Sequence, residues 1–106
     1  MRASLGISLA ELTAEIRRQL RLPDTVRGVV ISGVSPASDA AAQGLQRGDV
    51  ILSINQRQTT TSAEAAAAVD AARGAGRDTV LMLVQRGATP PTFIGVDLVG
   101  GQSAGG

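Results

Sequence analysis

The chain has 106 residues, 43% of them hydrophobic and 18% charged, with 13 glycines and a net charge of +1. That length suits one domain with a single compact core, and the near-zero charge provides no field for drawing in nucleic acid or an anionic membrane surface. Histidine, cysteine and lysine are all absent, which removes the usual general base, the common zinc ligands, the thiol nucleophile and any Ser-x-x-Lys arrangement. The composition thus argues against an enzyme and implies no metal or other cofactor.

Residues 4–9 alternate strictly, with Leu5, Ile7 and Leu9 on one face and Ser4, Gly6 and Ser8 on the other. Glycine inside a strand pattern marks a bulge or a place where another backbone or a ligand comes close; taken by itself, Gly6 reads first as a bulge in an edge strand and second as a binding position. Over residues 12–22 the period changes: Leu12, Ile16 and Leu20 recur every four residues, as on a short amphipathic helix. Thr13 is its expected N-cap and Pro23-Asp24 its expected stop. Residues 28–34 are β-branched and bounded by turn residues, which predicts a strand buried on both faces. Ser35-Pro36-Ala37-Ser38 is a turn, and a short helix over 39–43 leads to Gly44, a fitting left-handed cap.

The stretch that organises the chain is Gly44-Leu45-Gln46-Arg47-Gly48-Asp49, a turn that enters an alternating strand over 50–55. Asp49 is placed to accept local backbone N–H bonds and close the turn. In the strand, Val50, Leu52 and Ile54 are expected on one side and Ile51, Ser53 and Asn55 on the other. Gln56-Arg57-Gln58 is a tight turn and Thr59-Thr60-Thr61 is extended. Ser62 then caps an alanine-rich helix to about Arg73. A long strand over 78–86, a turn at Gly87-Ala88-Thr89-Pro90-Pro91 and a last strand over 92–99 complete the pattern. Residues 100–106 are rich in Gly and Ser and read as a mobile tail, leaving residues 4–99 as the domain. Phe93 is the single aromatic, so the core is aliphatic.

Read as A-x-x-G-L-x-x-G-D-x-I-x-x-I-N, residues 41–55 resemble the signature of PDZ domains, in particular those of bacterial Do/HtrA-type serine proteases. Ser4-Leu5-Gly6-Ile7 is similar to the G-L-G-F-type carboxylate-binding loop of that family, and the helix after the first strand is a feature of its Do/HtrA members. The resemblance implies a mixed α+β fold: a small, partly open β-barrel or sandwich of five to six strands with two to three helices, in the circularly permuted bacterial order. It also implies that backbone N–H groups of Leu5, Gly6 and Ile7 receive a peptide carboxylate. The strand beyond them would pair with the peptide in a groove formed with Ser8, Leu9, Ser62, Ala66 and Val69. A wall of alanine methyl groups leaves room for a large apolar ligand side chain. Ser62, standing where one class of eukaryotic relatives has histidine, favours an apolar ligand residue at the third-last position.

The function so implied is a module that captures C-termini or extended apolar segments of unfolded proteins by strand addition. It would serve a serine endopeptidase domain of the same parent in the periplasm. The Gly/Ser tail suggests the last PDZ domain of such a protease. Alternatives are a module that assembles the subunits of an oligomeric protease, or the PDZ domain of another bacterial protease or secretion component. Neither nucleic acid nor membrane is an expected partner of this segment. Met1-Arg2-Ala3 stand just ahead of the first motif, so a leader belonging to a longer parent would lie outside this chain.

Overall fold

The computed structural model describes residues 6–98, so the expected roles of Leu5, residue 99 and the tail at 100–106 lie outside the described residues. Among the described residues, six strands and three helices follow in the order β1 (Ile7–Glu11), α1 (Ala14–Gln19), β2 (Val29–Val34), α2 (Asp39–Ala42), β3 (Val50–Ile54), β4 (Arg57–Gln58), α3 (Ser62–Gly74), β5 (Thr79–Gln85) and β6 (Thr92–Asp97). The strands form one antiparallel sheet in the order β1-β2-β3-β5-β6, with β4 attached to β3. The sheet does not close on itself, so β1 and β6 are the two ends of its main strand order.

Side chains from the sheet divide into two apolar layers. The main core joins Ile7, Val29, Ile31, Ile51, Ile54, Val80, Met82, Val84 and Val96 to Ala65, Ala68, Val69 and Ala72 of α3 and to Ala40 of α2. A smaller cluster on the other face holds Val30 and Val50 with Leu22 and Val26, and α1 with the residues flanking it leans on it through the expected stripe of Leu12, Ile16 and Leu20. Burying a valine, isoleucine, leucine or methionine side chain of these layers stabilises the fold by roughly 1.5–3 kcal/mol.

Two bulges set which residues reach which layer. In β3 the register slips between Ile51 and Ser53, so Leu52 is the extra residue and Ile54 returns to the face of Ile51. The simple alternation expected for residues 50–55 is thereby corrected: Ile51 and Ile54 enter the main core, while Val50 and Leu52 join the second cluster. A slip between Ser8 and Leu9 against β2 leaves Ser32 as the extra residue there. Because that bulge lies in β2, the alternation of Ile7 and Leu9 in β1 is intact.

The helix ends also refine the sequence expectations. Thr13 caps α1 as expected, accepting a hydrogen bond from the Ile16 N–H at 3.1 Å. The helix stops ahead of Pro23, however, because Arg21 takes a left-handed conformation (φ 57°) and Leu22 donates back to the Arg17 carbonyl. The same closure ends α2 at Gly44 (φ 93°) and α3 at Gly76 (φ 78°). Thr61, not Ser62, is the N-cap of α3 and accepts from the Glu64 N–H at 3.0 Å. The turn after β3 is built by Asn55 and Gln56, both at positive φ (51° and 68°), while Arg57 and Gln58 already pair with Ile54 and Ser53. Two successive left-handed residues are what a two-residue hairpin requires, and asparagine adopts that conformation readily.

Candidate functional site

The organising turn closes on itself and then on a distant strand. The Asp49 carboxylate is buried, 1% exposed, and accepts from the Gln46 N–H at 2.9 Å as its place in the turn predicts. Arg86, at the end of β5, adds a two-pronged contact to the same carboxylate, with Nε at 2.8 Å and Nη2 at 2.9 Å, and also donates to the Gly44 carbonyl at 2.9 Å. A paired fork of this kind is among the stronger protein hydrogen bonds. The hydrogen bonds from Arg86 to Asp49, followed by their charge attraction, raise the guanidinium pKa above its ordinary value. No local pattern pointed to Arg86, which lies 37 residues from its partner.

Gly6 stands at the entrance to β1 with φ 80°, a conformation that side-chain-bearing residues rarely adopt. A Cβ at this position would lie 2.6 Å from the Cβ of Ser38. Ser38 is in turn held by its Oγ–H donating to the Ser35 carbonyl at 2.7 Å while it caps α2. The Gly6 carbonyl accepts from the Ser35 N–H at 2.7 Å. The entrance turn is therefore packed against the turn that leads into α2.

That bond also orients the strand. Gly6 is bonded toward β2, so by the alternation of an antiparallel ladder Ile7, opposite Val34, directs its N–H and C=O to the open edge. Leu9 behaves likewise. Its opposite residue, Ile31, turns its polar backbone the other way, donating to the Asp49 carbonyl and accepting from the Gly48 N–H, each at 2.8 Å. Among the described residues no side chain reaches the backbone of Ile7 or Leu9, so β1 presents the unpaired edge that strand addition needs.

Helix α3 stands beside this edge. Ile7 and Val69 are buried in the main core, Leu9 packs against it from a half-buried position, and Ala66 is half-buried. Ser8 is exposed and neighbours Gly33 on the outer side of the sheet. Of the residues expected in the groove, Leu9 and Ala66 are apolar and partly accessible, while Ile7 and Val69 are buried. Ser62, the first residue of α3, is tied to β1: Glu11 Oε2 accepts from its N–H at 3.0 Å and from its hydroxyl at 3.2 Å. Nothing in the sequence pattern singled out Glu11. Glu64 secures the approach to α3 by accepting from the Thr60 N–H at 2.7 Å and hydroxyl at 2.8 Å, which lowers its pKa.

A separate cavity of about 410 Å³ opens between the end of α2 and the β5–β6 turn, lined by residues that include Gly44, Val84, Arg86, Thr92 and Ile94. None of the expected site residues lines it. Among the described residues there is no group of acidic residues able to hold a metal ion, and no helix is long and apolar enough to cross a membrane.

Comparisons with known proteins agree with this geometry. The chain is 42% identical over 59 residues to a probable periplasmic serine endoprotease DegP-like of Brucella suis, covering 56% of this chain and 12% of that protein. It is 45% identical over 67 residues to the magnetosome formation protease MamE of Magnetospirillum gryphiswaldense, covering 62% and 8%. The periplasmic serine endoprotease DegP of Escherichia coli is 39% identical over 62 residues, covering 58% and 13%. The chain therefore matches only about an eighth of the length of its DegP-like relatives. Among solved structures, the HtrA-type protease AlgW with a decapeptide superposes with a TM-score of 0.70 at 28% identity, over 88% of this chain and 27% of that one. The HtrA3 PDZ domain bound to a phage-derived ligand gives 0.66 at 23% identity, over 88% and 82%, and shows the common fold. The family model described as "PDZ domain" matches residues 1–85, and with it the open β1 edge, the Gly6 turn and the Gly44–Asp49 turn find one explanation: the chain belongs to the PDZ domain family.

Proposed function

We propose that this domain captures the C-termini or extended apolar segments of other proteins by adding them as an antiparallel strand to β1. The observation that carries the reading is the outward backbone of Ile7 and Leu9 at an edge flanked by α3. Amides of Leu5, Gly6 and Ile7 receive the terminal carboxylate, so recognition of the anion needs no charged side chain. The last ligand side chain rests against Leu9 and Ala66, above Ile7 and Val69. A few main-chain bonds and one pocket, offset by ordering of the peptide, correspond to a Kd of roughly micromolar to hundreds of micromolar.

Similarity to DegP-like and HtrA-type proteases supports a role in substrate recognition or regulation for an attached periplasmic serine endopeptidase, whose catalysis lies outside this segment. In an NMR titration with a peptide ending in a free apolar residue, the amides of Gly6, Ile7 and Leu9 are expected to shift, and a C-terminally amidated peptide to bind at least about tenfold more weakly, as expected when a charged hydrogen-bond partner is lost. Absence of shifts with the free-acid peptide overturns the reading. A second reading, assembly with neighbouring subunits or domains of the protease, is favoured by Phe93 and Leu81, which are 55% and 40% exposed on the outer face of β5–β6.

A further inference from the structure

Given the strand-addition reading on which it rests, we propose that Glu11 is a specificity-determining residue that reads the fifth-last residue of the captured peptide. The alternation that turns the backbones of Ile7 and Leu9 to the open edge continues to Glu11, since Ala10 between them pairs with Val30 of β2. An added antiparallel strand whose last residue pairs with Ile7 then sets its third-last residue against Leu9 and its fifth-last against Glu11. Residues directly opposite in such a ladder present their side chains on the same face. The side chain of the fifth-last residue consequently meets the Glu11 carboxylate.

That carboxylate is held in place rather than free to sweep the surface. One of its oxygens, Oε2, accepts both the N–H and the hydroxyl of Ser62 across the upstream end of the groove. An ionised carboxylate accepts through two oxygens, and Oε1 has no partner among the described residues. The ion pairs found there are Arg73 with Asp70 and Arg86 with Asp49, so Glu11 is not neutralised by a basic side chain among them. A fixed, exposed negative group with acceptor capacity remaining suits an arginine or lysine opposite it and disfavours an aspartate or glutamate. Ser62 is the positioning residue, acting through Glu11.

The test uses three peptides with the same free apolar C-terminus, differing only in Arg, Ala or Glu at the fifth-last position, titrated against the whole chain at low and at high salt. The unmodified protein is expected to prefer the Arg peptide over the Glu peptide by about two- to fivefold at low salt, the scale of a cross-strand charge pair at an exposed site. The preference should fade at high salt. In Glu11→Gln the Arg-to-Glu ratio falls to near one, and in Ser62→Ala it falls partway because the carboxylate loses one of its two anchors. Equal binding of all three peptides to the unmodified protein, or a ratio unchanged in Glu11→Gln, overturns the assignment of Glu11 while leaving strand addition intact. A ratio unchanged in Ser62→Ala overturns the positioning role. No binding of any peptide to the unmodified protein overturns the capture reading, and this assignment with it.

Discussion

Strands β1 and β6, at the two ends of the sheet, differ in how their outward amides are met. At β6, Asp97 lies opposite Thr79 while its neighbour Leu98 donates to the Asp78 carbonyl, so the Asp97 N–H points away from β5 to the outer edge. There it meets Asp39 Oδ2 at 2.7 Å, from the first turn of α2. At β1, the outward backbone of Ile7 and Leu9 meets no side chain among the described residues, and α3 stands alongside. Edge strands are templates for unwanted pairing, and a side chain that satisfies an edge amide blunts one of them. This domain caps one outward amide of β6 through Asp39, while the outward amides of Ile7 and Leu9 on β1 meet no side chain among the described residues.

The sharpest way to break this contrast is to fill the entrance of the open edge. Gly6→Val forces a branched side chain into φ 80° and into the Ser38 Cβ only 2.6 Å from where its own Cβ would lie. The expected outcome is loss of peptide capture by more than about tenfold with destabilisation on the order of 2 kcal/mol, read by titration and urea unfolding. A next test removes the support of the blunted edge. Asp49→Asn discards the charge that holds Arg86, and through Arg86 the Gly44 carbonyl at the end of α2. It should cost about 2 kcal/mol by urea unfolding, less than a fully buried pair because Arg86 is half-exposed.

Uncapping the β6 edge directly is milder. Asp39→Ala is expected to cost about 1 kcal/mol and to speed hydrogen exchange of the Asp97 amide, while peptide capture at β1 stays unchanged. An equal loss of capture would show that the edges are not independent. The smallest effect concerns the open side, where Thr60 lowers the pKa of Glu64. A carboxylate whose folded pKa is depressed contributes stability above its unfolded pKa and loses it as pH falls through the folded value. Stability and the order of the first turn of α3 should therefore decline as pH drops through and below the ordinary carboxylate range, and Glu64→Gln should flatten that part of the profile in urea unfolding measured against pH.

Much of this was legible along the chain because it depends on neighbours. Thr13 bounds α1 through its hydroxyl and Gly44 closes α2 because it lacks a side chain, and Asp49 reaches the Gln46 amide three residues away. Thr61 displaced Ser62 as cap because both hydroxyl residues can serve and the Ser62 hydroxyl is drawn to Glu11, 51 residues distant. The bulges at Ser32 and Leu52 were not legible, since a register slip is a property of two strands together and leaves no mark in either alone. Arg21 in a left-handed conformation was hidden for a similar reason: Leu22, the residue after it, is drawn into the second apolar cluster.

Residue order alone settled the family signature, the aliphatic core, the sites of the principal turns and the exclusion of histidine- or cysteine-based chemistry, because each follows from residue type and short spacing. Only the folded chain decided that Arg86 joins Asp49, that Asp39 caps the far edge, that Glu11 spans to α3 and that Ile54 reaches the main core. Those outcomes depend on where separate strands and helices come to rest against one another, and hydrogen bonds act over a few ångströms of space, whatever the separation along the chain.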